Sequence, residues 1–172
     1  MLKAFLCNNA FCISTTTLYN APFLFSLKFL TTTTTTSNPF IVSYLIDKFG
    51  FSHEFALKAS KELYFKTSQK PDSVINFFKN HGFNDSDIHR IIKIEPWLLS
   101  CNTHKTILPK FQFLISKGAS SSDIVRMVVG NPKFLQFSCK THEIKFEYFL
   151  SKGASSSHII SLLTAKPSNF TK

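Results

Sequence analysis

The seven residues SKGASSS occur twice in this chain, at Ser116–Ser122 and again 35 residues later at Ser151–Ser157. A glycine followed by small hydroxyl residues can cradle a phosphate group, or it can link two helices. A phosphate-binding loop needs a preceding strand and usually a lysine after its glycines. Here a helical apolar pattern precedes the glycine and no lysine follows it. Both copies of the SKGASSS segment are therefore predicted to be turns between helices.

The residues around the two SKGASSS segments repeat with the same period of 35 to 36 residues. Three glycines and three prolines recur at intervals of 36 and 35: Gly82, Gly118, Gly153, Pro96, Pro132 and Pro167. Each glycine follows one apolar helical face and precedes another with the i, i+3, i+4 spacing. The second faces are Ile88, Ile91, Ile92; Ile124, Met127, Val128; and Ile159, Leu162, Leu163. The first faces are Ile75, Phe78; Phe111, Leu114, Ile115; and Phe146, Phe149, Leu150.

This period predicts an all-α helical-repeat solenoid, in which each helix pair buries an apolar face against its neighbour. Gly118 stands where a left-handed helix end is expected, and Ser120 with Asp123 forms a predicted capping box. Asn84 and Asp87 repeat that box. In the third unit His158 stands at the acidic position, so we expect a weaker cap. The apolar residues after each proline predict a third, very short helix, with Trp97 partly buried.

The first residues differ in composition from the repeats. No acidic residue precedes Asp47, and the stretch is rich in Ser, Thr, Asn and Phe. Residues 1–39 are predicted to be an organelle transit peptide, mitochondrial rather than chloroplast. A secretory signal and a disordered N-terminus are the alternatives. Residues 40–70 are predicted to form a divergent first repeat or an N-terminal cap, and residues 71–172 three repeats, the last incomplete.

The charge balance favours a polyanionic partner. Lys and Arg number 20 against 10 Asp and Glu, which gives a formal charge of +10. After Ile46 a basic surplus of eight remains, with eighteen basic and ten acidic residues. Such a surplus suits nucleic acid or an anionic surface. Only Arg90 and Arg126 are arginines, so bidentate reading of guanine is available at few places.

Nothing in the sequence indicates catalysis, a metal site or a cofactor. The four cysteines, Cys7, Cys12, Cys101 and Cys139, have no C-x₂-C spacing, and no histidine cluster completes a zinc set. Cys101 and Cys139 are predicted to be free, buried thiols. His53-Glu54 lacks the second histidine of a metalloprotease motif. No apolar run reaches the roughly 18–20 residues that span a bilayer. We therefore predict no enzyme activity, no small-molecule substrate and no membrane partner.

The pattern L-x-x-F-x-x-L-x-x-K-G-x-S-x-x-D-I of Leu108–Ile124, followed by P-x-x-L at Pro132–Leu135, resembles the mitochondrial transcription termination factor (mTERF) family. Asp72–Ser100 is similar to a first full repeat of a plant member, and Ser43–Leu63 to the lead-in segment. The resemblance implies repeats of two α-helices and a short 3₁₀ helix, stacked around a basic groove that binds nucleic acid, usually double-stranded DNA. It also implies a role in organellar transcription, including termination.

Basic residues that recur at the repeat interval are the candidate contacts, because stacking places them in a row. The recurring candidates are Arg90 with Arg126, Lys105 with Lys140, and Lys110 with Lys145; Lys93 and Lys133, near a second helix and its tail, are added to the predicted nucleic-acid-binding residues without recurring. Lysines beside small residues suit phosphate contacts that are independent of sequence. We expect a monomer that prefers double-stranded DNA, with RNA as the other ligand. The alternative function is a helical scaffold that binds proteins and not nucleic acid.

Overall fold

The fold is a series of short helices. The computed structural model describes residues 38–165, and every regular element in that range is an α-helix or a 3₁₀ helix. The transit peptide prediction, Pro167 and the last residues lie outside the described range. The α-helices are α1 Pro39–Phe49, α2 His53–Ala59, α3 Gln69–Asn80, α4 Asp85–Ile94, α5 Thr103–Thr106, α6 Leu108–Ser116, α7 Ser121–Gly130, α8 Cys139–Ser151 and α9 Ser156–Ala165; the 3₁₀ helices are η1 Ser60–Glu62, η2 Pro96–Ser100 and η3 Pro132–Gln136. The all-α prediction is confirmed.

The helices form three successive units that follow the predicted order. The first unit is α3, α4 and η2, the second is α5, α6, α7 and η3, and the third is α8 and α9. Second helices stack side by side, α4 on α7 and α7 on α9, while α6 packs on α8. The 3₁₀ helices η2 and η3 each begin at a proline, whose fixed φ suits the first helical position. The helical-repeat solenoid is therefore confirmed.

The turn inside each unit has the predicted left-handed glycine. Gly82, Gly118 and Gly153 have φ of 87°, 96° and 87°. The N–H of the residue after each glycine donates to the carbonyl five residues earlier; for example, Ala119 donates to Leu114 at 3.0 Å. This bond is the mark of a Schellman motif, which satisfies carbonyls that a helix end leaves unpaired. The two SKGASSS segments thus form turns.

The caps of the second helices differ as the sequence predicts. Asn84 with Asp87 and Ser120 with Asp123 form complete capping boxes, in which side chain and backbone bond reciprocally. In the third unit the His158 N–H donates to the Ser155 hydroxyl at 3.2 Å, which is half of the box. In a complete box the acidic side chain accepts a hydrogen bond from the backbone N–H of the N-cap residue. Without that bond, this N–H needs another hydrogen-bond partner.

Three details of the helices depart from the sequence-based expectation. The first helix of the second unit is broken at Ile107, because Pro109 has no N–H to donate to the carbonyl four residues back. Ile115 is 55% exposed, because its place in the last turn of α6 faces outward, like Lys79 in α3. Leu162 is 39% exposed, whereas the corresponding Ile91 and Met127 are buried. The remaining residues of the three second faces are buried.

The lead-in helices α1 and α2 are joined to the first unit by polar and aromatic contacts. The Tyr44 hydroxyl donates to the Asp72 carboxylate at 2.8 Å, and burial together with this bond raises the pKa of the tyrosine. Phe51 lies 4.8 Å from the His89 ring on α4. Gly50 ends α1 at φ 65°, so this pair also turns at a left-handed glycine, but here the glycine N–H donates to the Ile46 carbonyl four residues earlier at 2.8 Å.

Candidate nucleic-acid interface

The candidate interface lies along one edge of the stacked units. Within each unit the chain turns at the glycine between the first and second helices. We infer that the start of every first helix, the end of every second helix and the 3₁₀ helices η2 and η3 share the edge opposite the glycines. We call this the joint edge, and the edge that carries Gly82, Gly118 and Gly153 the turn edge. Contacts of η2 with both α3 and α4 agree with this placement.

Four of the sequence-predicted residues lie on the joint edge. Lys93 is in the last turn of α4, Lys105 is on α5, Lys133 is in η3, and Lys140 is in the first turn of α8. All four are exposed. Among residues 38–165 none of them is in an ion pair, whereas Lys48, Lys79, Lys117 and Arg126 are. The joint edge therefore offers unneutralised positive charges to solvent.

The two arginines lie beside the joint edge on packed second helices. Arg90 is on α4 and Arg126 is at the corresponding position of α7, and these helices are in contact. Both side chains are exposed, but Arg126 donates to Asp123 at 2.6 Å. Hydrogen bonds from Ser120 and then Arg126 lower the pKa of Asp123. Arg126 is thus partly neutralised, and Arg90 carries the freer charge.

The structure corrects the prediction for Lys110. Its side chain is buried, with a relative exposure of 6%, and its ammonium donates to the Thr106 carbonyl one turn back. Desolvation lowers the pKa of this lysine. Val74 at the corresponding position of α3 is also buried, so Lys110 occupies an inward-facing position of the repeat and does not reach a phosphate in this conformation. The corresponding Lys145 is half-buried, and its ammonium lies 5.5 Å from the centre of the Phe137 ring.

One carboxylate of the joint edge, that of Glu95, is held inward. Asp72 in the first turn of α3 is partly exposed and pairs with Lys48 at 3.7 Å, and Glu143 in α8 is exposed. Glu95, at the end of α4, is 3% exposed. Its carboxylate accepts hydrogen bonds from the Trp97 indole N–H at 2.6 Å and from the Gln136 amide. The same carboxylate thereby ties η2 to η3. Trp97 is partly buried, as predicted. Three other carboxylates, those of Asp85, Asp87 and Asp123, stand at the turn edge, where they begin second helices.

Sequence reasoning missed Lys70 as a member of the basic row. Lys70 lies in the first turn of α3, exposed and free of ion pairs in the described part of the chain. Lys70 precedes Lys105 by 35 residues, one fewer than the interval between the first two units, and Lys105 precedes Lys140 by 35 residues. An alignment that allows a shift of one residue could have revealed the row. Lys70 also lines a cleft of about 590 Å³ between α3 and α5, together with Asn76, Asn102 and His104.

The thiols are free but less buried than predicted. Cys101 and Cys139 are unpaired with each other and partly exposed. Burial raises the pKa of the Cys101 thiol to about 11, against the opposing charges of Lys110 and Lys70. Within residues 38–165 no group of three or more His, Cys, Asp or Glu side chains has an arrangement that could hold a metal ion. None of the helices in this range is both long and apolar enough to cross a membrane.

Stacked helix pairs with exposed, unpaired lysines along one edge of the described residues define a helical-repeat protein with a surface suited to a polyanion. The mTERF family model matches residues 75–172, which is more than half of the chain. The chain belongs to the mTERF family, whose members are organellar proteins that bind nucleic acid and regulate transcription. No curated protein and no solved structure matches the chain.

Proposed function

We propose that this protein binds double-stranded DNA along the joint edge and regulates transcription in mitochondria, including its termination. The observation that carries the proposal is the row of Lys70, Lys105 and Lys140, continued by Lys93 and Lys133. These five lysines are exposed and unpaired within residues 38–165. When these lysines contact a phosphate backbone, their charges would replace its bound counterions.

The spacing of the row supports a duplex ligand. Packed helices lie about 8–10 Å apart, and a base pair rises 3.4 Å along the duplex. Neighbouring units would therefore meet the backbone about every three base pairs. Three units would span most of one helical turn. Lysine contacts of this kind do not select a sequence, because the phosphate is the same at every step.

Arg90 and Arg126 would contact the phosphates or groove next to the lysine row. Arg126 must exchange its bond to Asp123 for a phosphate, so its contribution is expected to be smaller than that of Arg90. Lys145 would contribute through its charge and less through a direct contact. We propose that the protein acts as a monomer without catalytic activity, and that residues 1–39 direct it to the mitochondrion.

The proposal is tested by titrating the full chain with duplex DNA and with single-stranded RNA at several salt concentrations. Five phosphate contacts predict a log–log salt slope near −4 to −5 for a duplex, and about −3.5 for a single strand. Tighter binding to the duplex, with a slope in the first range, supports the proposal. Preference for RNA would move the function to RNA processing. Absence of binding to either ligand at low salt would contradict it.

A further inference from the structure

Each unit has an aromatic residue near the end of its first helix, followed one turn later by a second side chain. The pairs are Phe77 with His81, Phe113 with Lys117, and Tyr148 with Lys152. They recur at the intervals of 36 and 35 residues that separate the glycines. We call each pair a socket, because the first helix of the following unit packs an aromatic ring against it.

The first socket is filled by Phe111 of α6. The Phe111 ring lies 5.8 Å from the ring of Phe77 and 5.4 Å from that of His81. His81 also lies against Phe77, with ring centres 4.1 Å apart. Phe77 is 8% exposed and Phe111 is 1% exposed. The contact therefore removes both phenylalanines from water and joins the first unit to the second.

The second socket is filled by Phe146 of α8, the residue that corresponds to Phe111. The Phe146 ring lies 5.9 Å from Phe113, nearly the same distance as in the first socket. The Lys117 ammonium lies 5.7 Å from the centre of the Phe113 ring and 5.0 Å from that of Phe146. It also pairs with the Glu147 carboxylate at 3.2 Å. A lysine socket thus holds an aromatic residue and the carboxylate that follows it.

The third socket has the same internal geometry but is open. The Lys152 ammonium lies 5.6 Å from the centre of the Tyr148 ring, as Lys117 does from Phe113. Tyr148 is 58% exposed, against 8% for Phe77 and Phe113. Within residues 38–165 no ring from another helix lies against it. Ile144, one turn earlier on α8, is 62% exposed. Together they form an apolar patch, and the Lys152 ammonium at its side is in no ion pair with any of residues 38–165.

We propose that the third socket binds an α-helix of another protein molecule, and that this helix presents an aromatic residue followed directly by a carboxylate. The two filled sockets show what the site accepts: the aromatic ring enters against Tyr148, and the carboxylate pairs with Lys152. The position continues the seam along which α6 packs on α8. The site is separate from the joint edge, because Tyr148 and Lys152 lie at the turn edge.

A peptide with the sequence of α8 provides the probe, because α8 is the helix that fills the second socket. The peptide spans residues 138–152 with Cys139→Ser, and it is labelled and titrated with the full chain. We expect saturable binding that weakens about tenfold or more in Tyr148→Ala. Tyr64→Ala is the matched control, since Tyr64 is 78% exposed and lies outside the sockets; it is expected to bind the peptide normally.

A charge exchange identifies the site of binding. Glu147→Lys in the peptide is expected to weaken binding to the unaltered protein, and Lys152→Glu in the protein is expected to restore it. This rescue would not occur if the peptide displaced α8 from the second socket, where Lys117 is unchanged. Absence of peptide binding, equal binding by Tyr148→Ala, or failure of the rescue would overturn the proposal. A dimer of the chain that depends on Tyr148 would also overturn it, in favour of a second copy as the occupant.

Discussion

The second and third units use the same seven residues for their turns, yet their surroundings differ. Ser116–Ser122 leads into a complete capping box and lies beside a filled socket. Ser151–Ser157 leads into half a box and lies beside an open socket. The backbone is nearly identical, with φ of 96° and 87° at the two glycines. Sequence within the turn therefore determines its shape, whereas the next residue and the neighbouring unit determine how well it is supported.

Removal of the socket aromatic residue should produce the largest difference between the second and third units in the free energy of unfolding. Phe113→Ala is expected to lower the free energy of unfolding by about 3–5 kcal/mol, because it leaves a cavity between α6 and α8. Tyr148→Ala should change it by less than about 0.5 kcal/mol, because Tyr148 is exposed. Urea unfolding of both variants, followed by circular dichroism, measures the difference. Equal losses would mean that the third socket is filled in solution.

Low pH should weaken the contact between the two units. His142 on α8 is fully buried, its ring is stacked 3.8 Å from Phe134, and Nε2 lies 3.1 Å from the Phe134 carbonyl oxygen. Burial, reinforced by Lys110 and Lys145, lowers its pKa to about 4. The unfolded chain therefore binds the proton more readily. The contribution of His142 to the free energy of unfolding is therefore complete above about pH 6.5. It falls by roughly 3 kcal/mol as the pH drops to 4.

The measurement is urea unfolding of the unaltered protein between pH 7 and pH 4. His142→Leu is the control, because Ile107 fills the corresponding buried position before α6. We expect this variant to lose most of the pH dependence in that window. A variant with the same pH dependence as the unaltered protein would show that other groups are responsible.

The smallest expected effects come from the caps themselves. Asp123→Ala removes half of the box in the second unit and is expected to cost about 0.5–1 kcal/mol. His158→Asp completes the box in the third unit and should add a few tenths of a kcal/mol. Thermal unfolding of the two variants compares them. If His158→Asp destabilises the protein, the difference between the caps does not reside in the acidic residue.

The turns could be predicted from sequence because their chemistry is local. A left-handed glycine, a serine cap and an acidic partner lie within six residues, so Gly118, Ser120 and Asp123 already define the structure. Periodicity also predicted the buried faces, since helical spacing alone places Ile124, Met127 and Val128 on one side.

Burial that depends on neighbouring units could not be predicted in this way. Lys110 corresponds to the half-buried Lys145 in the repeat, but it is itself buried, like Val74 at the same position of α3. Leu162 has the spacing of a core residue and is exposed because no further described unit covers it. Lys70 was missed because the lead-in region lacks the repeated proline from which the other units were aligned. The structure places it in the first turn of α3, exposed and unpaired within residues 38–165.

The central claim is that the joint edge, and not the turn edge, binds nucleic acid. The most direct measurement compares two double variants of equal charge in titrations with duplex DNA at several salt concentrations. Lys105→Gln/Lys140→Gln removes two joint-edge charges, and Lys79→Gln/Lys152→Gln removes two charges near the turn edge. The account predicts that the first variant binds more weakly and that its salt slope is shallower by about 2, with little change in the second. Equal losses in the two variants would contradict it.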